Sequence, residues 1–89
     1  MVGKKIKVKK EAGLDAKAAA LFIQKASGFK SNVWIEKDER KANGKSLLGI
    51  LALEIGFGSM VTLTADGRDE DEAVEVLSGY LAGDCRGND

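Results

Sequence analysis

The chain of 89 residues contains no histidine, so no imidazole is available as a nucleophile or as a base to activate one. Its single cysteine, Cys85, lies in a polar stretch with no partner for an internal disulfide. That argues against cysteine catalysis and fits a reducing compartment. An excess of charge is also lacking: 14 basic and 14 acidic side chains cancel. No overall field draws the chain to nucleic acid or to an anionic membrane, and neither is expected as a direct partner. No apolar run approaches bilayer-crossing length, and the lysine-rich start alternates with apolar residues instead of leading into a signal-peptide core. The expected setting is the cytoplasm. There are no internal repeats, linkers or long low-complexity segments, so one domain is expected over residues 1–83, with 84–89 as a flexible tail. A domain of this size removes only about 60% of its unfolded surface from water.

What is present reads as alternating strands and helices. Val2, Ile6 and Val8 share one parity and Lys5, Lys7 and Lys9 the other, which predicts a half-buried strand ending near Lys10. Asp15 is a favourable N-cap, Ala16, Ala19, Ala20, Ile23 and Ala26 fall on one helical face, and Gly28 is a ready stop, predicting a helix over about 16–27. Val33 and Ile35 alternate with Trp34 and Glu36, and the chain returns through Arg40 to Asn43 after a polar Asp38-Glu39 turn, which predicts a hairpin. Trp34 then stands on the uncovered sheet face. Ser46 caps a short helix through Leu53, Val61, Leu63 and Ala65 form the inward row of a last strand, and Asp66-Gly67 turns the chain. Asp69 with Glu72 has capping-box spacing, and Ala73, Leu77, Tyr80 and Leu81 give the final helix its apolar stripe. The order predicts an α+β fold in which helices cover one face of a mostly antiparallel sheet.

Two segments carry more than fold information: Gly13-Leu14-Asp15-Ala16-Lys17-Ala18-Ala19-Ala20 and Asn43-Gly44-Lys45-Ser46-Leu47-Leu48-Gly49. Together with Asn32 to Asp38, Val61 to Gly67 and Asp69-Glu70, they resemble the HPr family, the phosphocarriers of the bacterial sugar phosphotransferase system. The resemblance runs from about Lys4 to Leu81. It implies an open-faced sandwich of four antiparallel strands covered on one face by three helices. In that family the first segment holds the phosphate-accepting histidine, followed by an arginine and a proline; Asp15, Lys17 and Ala18 stand there instead. The second segment holds a serine phosphorylated for regulation, matched by Ser46. Relatives with the serine but without the histidine form the Crh type, which this chain is most similar to.

The first site is therefore expected to be degenerate. Asp15 cannot form a phosphohistidine, and Lys17 is a point charge without the planar fork of arginine. An aspartyl phosphate needs a metal held by further carboxylates, and none lies nearby in sequence, so no cofactor or metal is expected. Asp15 has two readings: a helix cap, or a permanent charge imitating a phosphorylated histidine, though one carboxylate charge is less than the nearly two of a phosphate. Ser46 also has two, a cap or a modification site where free helical N–H groups receive a phosphate. The resemblance favours the second. Leu47 and Leu51 share a helical face, and with Lys45 and Leu48 they form an expected docking surface beside the switchable anion. Lys17, Leu21 and Gln24, opposite the alanine-rich side of the first helix, adjoin it in HPr-like proteins; Leu21 read alone is equally a core residue.

The resemblance implies a non-enzymatic regulatory phosphoprotein, modified by HPr kinase/phosphorylase and acting with a LacI-type regulator, catabolite control protein A. The alternatives are an unswitched module that uses Asp15 and the leucine face, and a degenerate carrier without a partner. A homo-oligomer by strand exchange is left open.

Overall fold

The computed structural model describes residues 1–83; the expected tail over 84–89, with Cys85, lies outside the described residues. The elements in chain order are β1 (Val2–Lys7), α1 (Ala16–Ser27), β2 (Asn32–Lys37), β3 (Arg40–Asn43), α2 (Leu47–Ala52), β4 (Met60–Asp66) and α3 (Glu70–Leu81). The strands form one sheet in the order β1-β4-β2-β3, with all three pairings antiparallel. Three helices cover one face of it. The inward rows, Ile6 on β1, Val33 and Ile35 on β2, and Val61, Leu63 and Ala65 on β4, meet Phe22, Ile50 and Leu77 from the three helices in a single core.

The β1 ladder stops at the Lys7–Met60 pair, short of the expected end near Lys10. The reason lies on the other strand. Val8 donates its N–H to Ser59 O at 2.8 Å but accepts from Gly58 N at 2.7 Å, so two residues oppose one and the pairing is broken by a bulge-like step. Lys9 then turns its N–H to Leu81 O at the end of α3.

On α1 the expected alanine stripe is only partly correct. Ala19, Phe22 and Ala26 are fully buried, but Ala16 and Ala20 are exposed. Burying one benzyl group outweighs burying two methyls, so Phe22 sets the rotation of the helix.

The Asp38-Glu39 turn joins β2 to β3 through a two-residue loop with φ of 52° and 67°, the left-handed pair that matches strand twist. The residues flanking it reach α2. Lys37 Nζ donates to Leu53 O at 3.3 Å and Glu54 O at 2.7 Å, and Arg40 donates to Ala52 O at 2.7 Å. Two cations thus satisfy the terminal carbonyls of a six-residue helix.

At the start of α3 the expected Asp69 and Glu72 capping box is not formed. Asp69 makes no side-chain cap bond; its carboxylate accepts from Lys30 N (2.9 Å), Ser31 N (3.0 Å) and Ser31 Oγ (2.6 Å). Ser31 is fully buried, and its donors converge on the nearest carboxylate. Glu70 supplies the reciprocal contact instead, accepting from Gly67 N at 3.1 Å. A Cβ on Gly67 would lie 2.6 Å from Ser31 Cα, so this junction requires glycine.

Candidate functional site

Asp15 is exposed at the N-cap of α1, with its Oδ1 accepting from Ala18 N at 2.9 Å. The approach to it is rigid. Gly13 has φ of 66°, and a Cβ there would lie 2.5 Å from Ile55 O and 2.6 Å from Gly56 Cα. Leu14 is buried and donates its N–H to the same Ile55 carbonyl at 2.9 Å. The loop after α2 therefore buttresses the entry to α1, and it carries Phe57, which is 66% exposed and escaped the sequence reading. Tyr80 also belongs beside this end of the molecule. Its hydroxyl donates to Ala18 O at 2.9 Å, and Lys10 Nζ lies 4.0 Å from the ring centroid. Burial first, then the charge of Asp15, push the Tyr80 phenol above its usual pKa. Its position in the α3 stripe signalled packing; the polar tip signalled the rest.

Ser46 is half-buried at the N-cap of α2, where its Oγ accepts from Gly49 N at 3.2 Å. Asn43 sets the turn before it, accepting from Lys45 N through Oδ1 at 2.8 Å and from Ser46 N through its carbonyl at 3.0 Å. Lys45 Nζ donates to Phe29 O at 3.0 Å, just past the end of α1, which ties the two helices together beside Ser46.

The structure exposes Lys17, Leu21 and Gln24 on one face of α1, and Leu21, 43% exposed, is not a core residue. On α2 the expected pairing of Leu47 with Leu51 is corrected. Leu47 is 40% and Leu48 80% exposed, whereas Leu51 packs against the core. Ile50 is fully buried, and a helix this short seated by Ile50 turns Leu51 inward and Leu48 outward. α1 and α2 pack on each other. Trp34 stands half-buried on the uncovered sheet face with Lys41 Nζ 5.3 Å from its ring. Among the described residues no group of three or more His, Cys, Asp or Glu side chains is placed to hold a metal, and no helix is long and apolar enough to cross a membrane.

Two helix N-termini, one capped by Asp15 and one by Ser46 beside exposed leucines, lie in a chain that matches a single family. Its pattern, the PTS HPr component phosphorylation site, matches residues 2–82. The chain belongs to the HPr family. It is a Crh-like member that lacks the active-site histidine. It is 48% identical over 81 residues to the HPr-like protein Crh of Halalkalibacterium halodurans, covering 91% of this chain and 96% of that protein. Against Crh of Bacillus subtilis the identity is 47%, covering 91% of this chain and 95% of that one. The HPr of Bacillus anthracis is 46% identical with a TM-score of 0.88, covering 90% of this chain and 95% of that one. Crystalline Bacillus subtilis Crh, a domain-swapped dimer, is 45% identical with a TM-score of 0.77 over 94% of this chain and 97% of that one. Set in the HPr fold, Asp15 caps the first helix and Ser46 the second.

Proposed function

We propose that this HPr-family protein is a non-enzymatic, cytoplasmic regulatory phosphoprotein, phosphorylated at Ser46 by HPr kinase/phosphorylase. In that state it acts as a corepressor with catabolite control protein A, without any histidine phosphotransfer. The observation that carries the reading is the Ser46 N-cap set directly before the exposed Leu47 and Leu48. A phosphate on Ser46 meets the first N–H groups of α2, and a partner arginine meets the phosphate while apolar contacts take the leucines. Lys17, Leu21 and Gln24 extend the docking surface; Lys45 holds the α2 start in place through Phe29 O. Asp15 contributes a cap and a fixed negative charge.

With ATP and HPr kinase, intact-mass spectrometry is expected to show one added phosphate, abolished by Ser46→Ala. Phosphoenolpyruvate with enzyme I should leave the protein unlabelled. Calorimetry then decides between switch and constitutive module: equal affinity of both phosphorylation states for the regulator refutes the switch. Leu48→Ala should weaken the phosphorylated complex by about 1–3 kcal/mol if that side chain is an interface anchor. Self-association of the kind seen in Crh is tested on the same samples by sedimentation.

A further inference from the structure

β1 is an edge strand, paired with β4 on one side only. Val8 bonds toward the β4 side, to Ser59 O and from Gly58 N. Antiparallel strands alternate, so Val2, Lys4 and Ile6 bond the same way, and the main-chain N–H and C=O groups of Gly3, Lys5 and Lys7 face the open edge. α3 does not close that edge. Its end reaches only Lys9, whose N–H goes to Leu81 O at 2.9 Å. Between the strand and the helix runs a groove of about 470 Å³, with Lys4, Lys5, Lys7 and Lys9 on the strand side and Ser78 and Gly79 on the helix side. Small residues on α3 leave room for a further strand.

The charge of the edge selects the occupant. Lys4, Lys5, Lys7, Lys9 and Lys10 fall within seven residues of a chain whose net charge is zero. Among the described residues the only ion pairs are those of the amino terminus with Asp66 and Glu70, so none of these lysines has a carboxylate partner. A second copy of β1 would place lysine against lysine, which is destabilising across a strand pair. Nucleic acid has no row of N–H and C=O groups to match a strand edge. An acidic peptide satisfies both the backbone and the charge. The wall also fixes its pattern: Lys5 and Lys7 point to the open face of the sheet, while on the helix side Lys4, of the same parity as Ile6, and Glu75 carry opposite charges that offset one another beside Ser78 and Gly79, so only the open face calls for carboxylates.

We propose that the open edge of β1 binds an extended acidic segment of a partner protein by strand addition, with alternate carboxylates against Lys5 and Lys7 and small apolar side chains against α3. The site is separate from Ser46 and does not depend on its modification.

The test is a nitrogen-15 NMR titration of the full chain with a capped hexapeptide, Glu-Val-Glu-Val-Glu-Val. Binding below about 1 mM is expected, with the amides of Gly3, Lys5 and Lys7 shifted and slowed in hydrogen exchange. Lys5→Glu with Lys7→Glu should weaken it at least about tenfold, whereas Lys41→Glu, on the opposite edge strand, should leave it unchanged. Lys5→Pro removes an edge N–H without touching the β4 ladder and should weaken binding to a similar extent. If that variant fails to fold, the double charge reversal carries the test. No binding at 1 mM, binding without protection of those three amides, equal loss on Lys41→Glu, or undiminished affinity of folded Lys5→Pro would each overturn the proposal. Protection that grows with protein concentration alone would assign the edge to a second copy, and tighter binding of a heparin oligosaccharide than of the peptide would assign it to generic polyanions. Either result also overturns it.

Discussion

Asp15 and Asp69 occupy the same position, the residue before the first turn of a helix, and they do different things there. Asp15 turns its carboxylate onto its own helix, accepting from Ala18 N, and remains exposed. Asp69 turns its carboxylate away from α3 and gathers three donors from Lys30 and Ser31 across a separation of 38 to 39 residues. One is a local cap; the other is a tertiary junction between the start of β2 and the start of α3. A residue in a helix-start pattern identifies the place where a carboxylate is wanted, and the neighbours that fold against it decide which donors it meets.

Three measurements would break or sharpen this contrast. The largest effect is expected at the junction. Ser31→Ala removes the hydroxyl of a fully buried serine bonded to a carboxylate and should lower stability by about 1–3 kcal/mol in urea unfolding. Asp69→Ala, which orphans all three donors, should unfold at lower urea still. If either variant is no less stable than Asp15→Ala, the junction is not the stronger of the two.

The second is a pH dependence. Hydrogen bonds, that of Ser31 Oγ first and that of Lys30 N next, hold the Asp69 carboxyl at about 2, below its ordinary 3.8. A carboxylate with a depressed folded pKa contributes its full stabilisation above the unfolded value and loses it as pH falls toward the folded one. The urea midpoint should therefore decline between about pH 4 and pH 2, and Asp69→Asn should flatten that decline. An equally steep decline in the variant would locate the acid sensitivity elsewhere.

The smallest effect belongs to Asp15. Asp15→Ala should cost about 1 kcal/mol, and Asp15→Ser, which keeps a capping oxygen but removes the charge, only a few tenths. Comparing Asp15→Ser with the parent protein in regulator binding then isolates the charge from the fold.

The same distinction between local and distant determinants explains what the sequence made legible. Strand parity, the Ser46 cap and the Asp38-Glu39 turn are local, and the sheet and the order of strands and helices came out as expected. The misread features depend on contacts far along the chain. The end of β1 is set by the step at Gly58 and Ser59, and the rotation of α1 by where Phe22 finds its cavity. Which of Leu48 and Leu51 is exposed depends on Ile50 reaching the core, which no spacing rule within six residues reveals.

The clamp of Lys37 and Arg40 on the end of α2 has a consequence for the order of assembly. Its bonds close loops of 12 to 17 residues, and β2, β3 and α2 are consecutive in the chain. The Val2–Ala65 pair, in contrast, closes nearly the whole domain. Short loops lose less entropy on closure, so the hairpin with its clamped helix is expected to form early and β1 to join last. Truncating Ile35 should then slow folding, while truncating Ile6 should chiefly quicken unfolding, a pattern that stopped-flow chevrons read directly. The segment that presents Ser46 is thereby the part of the protein that commits first to its native shape.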